Sequence, residues 1–288
     1  MEKIERKNYP KIINAILLCL LVIGIQLGIG AIVGLIIGLL GLGTDSILYG
    51  LGIILGQILS FAVVIFIGYK KTGKKFNEIF LVNKVSLNYW IATIVFMFGY
   101  VILSSELDNV LEYFLPMPMF LEDTFESIMV DQLFIFSIIL IVIVPTITEE
   151  MLFRGIIVSG FKENYSGKKT IIVSALLFGL IHLNPWQFVS AFIVGLFSAW
   201  LCLRTKSILL CLYIHFFNNF LGLMAMKFSD TIPIRGFNTA YAGEPVFQPL
   251  WFDAIGLVVM ALGILLILRC VRRTQTVALT TTIYLEVL

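Results

Sequence analysis

Apolar runs of roughly 20 residues recur along the whole of this chain, and that repetition limits its possible folds more than any other feature. A helix rising about 1.5 Å per residue needs about 20 apolar residues to cross a hydrocarbon layer of about 30 Å. The runs fall at about 11–40, 47–69, 88–106, 132–161, 169–184, 186–203, 207–228 and 251–270. They predict an all-α fold, a polytopic transmembrane helix bundle of about eight spans. Composition agrees, with 59% hydrophobic residues, 13% charged residues and a mean hydropathy of +1.01. Soluble domains hold only about 45–50% apolar residues. A cell membrane, with the lipid bilayer as solvent, is therefore the expected location, and no nucleic-acid partner is expected.

The opening MEKIERKNYPK carries charges like those of a signal peptide. The run after it is too long for a signal core and has no small-residue cleavage site, so it reads as a retained first span. No internal repeat or separate soluble domain stands out, which makes residues 1–284 one expected domain. The last four residues, LEVL at 285–288, resemble the start of the tag-cleavage sequence LEVLFQ and are set apart.

Basic residues alternate between the ends of the runs. Lys3, Arg6, Lys7 and Lys11, then Lys70, Lys71, Lys74, Lys75 and Lys84, fall on one side. So do Lys162, Lys168, Lys169, Arg204, Lys206, Arg269, Arg272 and Arg273, giving 17 of the 20 basic residues. The positive-inside rule makes that side cytoplasmic and places both termini there. The other side holds Asp45, an acidic loop at about 107–131 with room for a short surface helix, and the stretch from about 229 to 250. In the first run Gly30, Gly34 and Gly38 are four apart, a spacing that predicts a groove for close helix packing. Cys19, Cys202, Cys211 and Cys270 lie toward the cytoplasmic ends without a CxxC pair, which predicts free thiols and no cysteine-based metal site.

With the loops removed, Glu149, Glu150 and Arg154 remain at membrane depth, in TEEMLFRG. Both histidines of the chain, His182 and His215, lie there too. Ionisable groups at that depth cost several kcal/mol each and usually face a functional interior. Glu150 and Arg154 are four apart on one helical face, so a structural ion pair is the simplest reading for them. Glu149 points about 100° away and is harder to satisfy from the same arginine. Pro145, one turn upstream, predicts a kink or loosened turn. Phe178 and His182 share a face, with Pro185 where that run should end. His215 and Asn219 share another, with Asn218 as a less well-aligned rival. Counted from the nearest lysines, Glu149, His182 and His215 sit at about 13–20 Å from the cytoplasmic side, on three different runs. Similar depth is what one convergent site requires.

The ordered set Glu149-Glu150-x-x-x-Arg154, Phe178-x-x-x-His182 and His215-x-x-x-Asn219 resembles the three-motif signature of the CAAX prenyl protease and bacteriocin-processing (CPBP, or Abi) intramembrane proteases. The resemblance spans roughly residues 130–228. It implies an endopeptidase that cleaves a membrane-associated peptide or protein. In that family's terms Glu149 is the general base for water, His182 helps to hold and polarise that water, and His215 and Asn219 donate to the oxyanion. Glu150 and Arg154 act in support. A carboxyl in a dry pocket is a stronger base, and oxyanion donors fixed in low dielectric contribute about 3–4 kcal/mol each to the transition state. No cofactor is expected. A zinc-dependent version using two histidines and a glutamate is the less favoured alternative, since no HExxH is present. Family members also include proposed bacteriocin-immunity and scaffold proteins, for which the site is dispensable. A proton-coupled transporter is a third reading, weakened because only one half of the chain carries the polar set. The short loops favour a bacterial plasma membrane and a peptide precursor.

Overall fold

The structure, a computed structural model, describes residues 8–119, 121, 133–238 and 246–287, with side chains to 273. Among these residues the chain is helical, apart from turns and one isolated bridge between Val82 and Ser207. In chain order the helices are α1 (Ile12–Leu39), α2 (Ile47–Thr72), the short α3 (Phe76–Ile79), α4 (Leu87–Phe114) and α5 (Phe134–Asn164). They continue with α6 (Gly167–Leu180), α7 (Pro185–Thr205), α8 (Leu209–Lys227) and α9 (Leu250–Val287). Seven of them are long and apolar enough to cross a membrane. The eighth expected span, 169–184, is instead the 14-residue α6. At 1.5 Å per residue it measures only about 21 Å, and it packs against α7 as one arm of a hairpin. α4 also outruns its expected end at 106 and continues through Glu106, Asp108 and Glu112 to Phe114. The rest of the expected acidic loop lies largely outside the described residues.

Local signals explain where the helices start and stop. Gly73 closes α2 at φ +65°, a left-handed position that costs glycine nothing. Asn184 caps α7 by accepting from Gln187 N at 2.7 Å, and Pro185 occupies the first position of the helix. Pro185 therefore starts a helix, while the preceding one has already ended at Leu180. In α5 the expected loosening around Pro145 is a π-helical stretch, Ile138–Ile143, and a second one follows at Met151–Ile157. Each widens the turn and changes which side chains face inward.

The basic loops meet at one end of the bundle. Lys74 pairs with Glu163, Asn164 donates to Asn8 O, and Ile12 N donates to Tyr165 Oη. Asn83 donates to Lys206 O, and Ile208 N to Leu81 O. Val271 belongs to the same buried cluster as Tyr89, near the start of α4, which brings the basic stretch of α9 toward the same end. The opposite end is closed by Asn109 on Gly236 O, by Gln248 N on Glu106, and by Trp186 on Leu115 O. Large apolar side chains such as Leu35 (64%), Phe66 (61%) and Val258 (67%) face outward, as they do where lipid is the solvent. α5 is the most buried span, with 44% of its central window enclosed against 17% for α1.

The glycines of α1 do not do what their spacing predicts. A Cβ placed on Gly30, Gly34 or Gly38 would meet nothing within 4 Å. The α1–α2 contact uses the glycines of the partner helix, where Val33 lies against Gly52 and Ile29 against Gly56. α4 and α9 approach more closely still. A Cβ on Gly99 would run into the backbone of Met260, and one on Gly263 into the backbone of Phe96. Because backbone cannot rotate aside, Gly263→Val should lower the thermal midpoint in detergent, at a cost of about 1–3 kcal/mol. An unchanged melt would show that the two helices do not touch there.

Candidate active site

Glu149 and Glu150 follow each other on α5, at the junction between its α-helical segment and the second π-helical stretch. Both point into the bundle, and His215 of α8 lies between them. His215 Nδ1 is 3.0 Å from Glu150 Oε1, and His215 Nε2 is 3.9 Å from Glu149 Oε2. Glu150 is fully buried and its Oε1 also accepts from Arg154 Nη1 at 2.9 Å, which gives the expected ion pair. Arg154 is 3% exposed, lies 4.4 Å over the Phe178 ring and donates at 3.4 Å to Gly195 O. Phe178 does more than pack beside one histidine. Its ring meets His182 and His215 edge-to-face, at 5.5 and 5.6 Å, while Arg154 covers it.

His182 does not lie within a helix. It sits two residues past the end of α6, in the turn before α7. The shared face with Phe178 holds nonetheless, because His182 Nδ1 lies 2.9 Å from Phe178 O. A carbonyl only accepts, so Nδ1 carries the hydrogen and donates, and in the neutral ring the lone pair is on Nε2. The carboxylate on His215 Nδ1 fixes that ring in the same sense. Both Nε2 atoms then face Glu149 Oε2, at 4.0 Å for His182 and 3.9 Å for His215. Glu149 Oε2 is buried and has no hydrogen-bond partner among the described residues. A gap near 4 Å is too long for a direct hydrogen bond, yet one small polar molecule can reach both sides of it at about 2.8 Å.

Asn219 lies one turn beyond His215 and turns to the same helix, α5, but meets a different part of it. Its Nδ2 donates to Ile141 O at 2.9 Å. Ile141 is four residues before Pro145, whose missing N–H takes away the usual helical donor to that carbonyl. One amide hydrogen of Asn219 is therefore used on the backbone, and Asn218 donates to its Oδ1 at 3.1 Å.

Sequence reasoning missed one contact. Glu149 Oε1 accepts from Gln57 Nε2 of α2 at 3.1 Å, and Gln57 Oε1 accepts in turn from Gln26 of α1. A signal for it existed, since each of these glutamines interrupts an otherwise apolar stretch in the first two spans. The donor types at Glu149, His182 and His215 suit zinc. Ligand atoms on a tetrahedral ion with bonds of about 2.0–2.2 Å lie roughly 3.3–3.6 Å apart, however, closer than the separations here. No cluster of three or more His, Cys, Asp or Glu among the described residues is arranged to hold a metal. No disulfide joins any of the four cysteines.

No curated protein and no solved structure matches the chain. One family model does, that described as Rce1-like, type II CAAX prenyl endopeptidase Rce1-like, over residues 131–221. That segment runs from the start of α5 into α8 and contains every residue of the three motifs. Residues 131–221 of this multi-pass membrane protein therefore match the Rce1-like, CAAX-type protease family that the motifs resemble.

Proposed function

We propose that the chain is an intramembrane glutamic endopeptidase that hydrolyses one peptide bond of a membrane-associated peptide or protein. The observation that carries this reading is the unpartnered Glu149 Oε2 facing two histidine Nε2 atoms at 3.9 and 4.0 Å. Water is the co-substrate that suits this gap. Glu149 takes a proton from it while His182 Nε2 accepts its other hydrogen and aims the oxygen. The new O–C bond forms at the scissile carbonyl, whose electron pair moves onto oxygen. In this scheme His215 keeps Nδ1 on Glu150 and is the donor, through Nε2, to that oxyanion. The second amide hydrogen of Asn219 is the further donor in this scheme. Collapse breaks the C–N bond, and Glu149 returns its proton to the leaving amine.

In this reading the basic end faces the cytoplasm of a bacterial plasma membrane, and the substrate is a peptide precursor rather than a prenylated protein. Comparing membrane peptides from cells carrying wild type or Glu149→Gln tests the activity and the substrate class, because fragments that vanish with the variant identify the substrate. If the two peptide sets are identical, the non-catalytic immunity or scaffold reading takes over. The mechanism uses no metal. Cleavage by the purified protein should therefore persist within about twofold in a strong chelator, and loss of activity that zinc restores would replace this mechanism with its metal-dependent counterpart.

A further inference from the structure

We propose that Gln57, held in place by Gln26, is a positioning residue for Glu149 and selects the carboxylate oxygen that does the chemistry. The proposal deepens the protease reading and rests on it. Both glutamines lie outside the segment that matches the family, on the first two helices.

The hydrogen bonds allow Gln57 one orientation. Its Nε2 donates to Glu149 Oε1 at 3.1 Å and, more weakly, to Thr148 Oγ1 at 3.4 Å. Thr148 Oγ1 gives its own hydrogen to Val144 O at 2.8 Å, so it meets Gln57 as an acceptor. The other end of the amide, Gln57 Oε1, accepts from Gln26 Nε2. A flipped amide would set oxygen against a carboxylate, so Glu149 fixes which end faces it, and Gln26, donating to the other end, holds the amide there. Gln26 can reach because α1 and α2 run close together, with Ile29 packed on Gly56, the residue before Gln57. With Oε1 tied down, the free oxygen is Oε2, the one between the two histidines. A glutamine serving only as glue between α1 and α2 would need the Gln26 contact alone. Gln57 directs its whole donor end at Thr148 and Glu149.

The test measures kcat and KM of purified wild type, Gln57→Leu, Gln57→Glu, Gln26→Leu and Glu149→Gln across a range of pH, with thermal midpoints recorded for each. Gln57→Leu should lower kcat about 10- to 100-fold with KM within about threefold, because the base is misaimed while the peptide groove is intact. Gln26→Leu should act in the same direction by less. Gln57→Glu should be poor at neutral pH, where two carboxylates face each other. Its activity relative to wild type should rise as the pH is lowered and a shared proton restores a donor to Glu149 Oε1. That rise is a response a packing residue would not give. If Glu149→Gln is inactive but Gln57→Leu keeps kcat within twofold and the Gln57→Glu ratio is flat with pH, the positioning role is overturned and the protease reading stands. If Glu149→Gln itself still cleaves, both are overturned.

Discussion

Purified Glu149→Gln protein should cleave a membrane-tethered peptide about 10³-fold or more slowly than wild type while reaching the same level in the membrane. The amide has nearly the carboxylate's shape, and its oxygen can still accept from Gln57. What it lacks is basicity at the atom facing His182 and His215, which lies 4.0 and 3.9 Å from them. Removing a negative charge that has only one hydrogen bond should not destabilise the fold, so the loss would be chemical. His215→Asn should also be severely impaired, because one ring contacts Glu150 and faces Glu149. Single-turnover cleavage, monitored by mass spectrometry beside a thermal melt, separates lost chemistry from lost folding. Cleavage within tenfold of wild type by folded Glu149→Gln would remove the glutamic mechanism altogether.

Arg154→Met should have the largest effect on stability. Glu150 is fully buried, and the arginine is its one permanently cationic partner. Breaking a buried pair from one side leaves an uncompensated charge and costs about 3–5 kcal/mol, a large part of what a membrane bundle of this size has in reserve. The variant should accumulate poorly or melt well below wild type. The double variant Glu150→Gln/Arg154→Met should recover much of that loss, since neither charge is then left alone. Arg154→Lys should fall between them, because an ammonium cannot both bond Glu150 and lie flat on the Phe178 ring. A single variant with wild-type melting would mean that Glu150 does not depend on Arg154.

The convergence of Glu149, His182 and His215 was legible because depth along a helix is a matter of counting residues, and the lysines mark one end. The Glu150–Arg154 pair was legible for the same reason, since i,i+4 geometry is local. The location of His182 in a turn was less so. Hydropathy carries on through Ile181 and Leu183, and a window over apolar residues does not see a 14-residue helix stop short of them. The glycines of α1 misled because a small-residue stripe says that a helix can be approached, without saying whether anything approaches it. Gly52 and Gly56 carry out that function on the neighbouring helix. The bond from Asn219 to Ile141 O answers a defect visible in the sequence at Pro145, although the sequence does not say which side chain repairs it.

The sequence by itself determined that the chain is a bundle of membrane helices, which end bears its positive charge, and which ionisable side chains lie at lipid depth. These follow from hydrophobicity and from the 3.6-residue turn, both properties of a segment taken alone. Tertiary structure alone decided that one imidazole lies between two successive glutamates, that α2 supplies the donor for Glu149, and that Glu149 Oε2 is left without a hydrogen-bond partner opposite two imidazoles. Such facts depend on how far apart helices pack and how each is rotated about its axis, and side chains distant in the chain settle those quantities together.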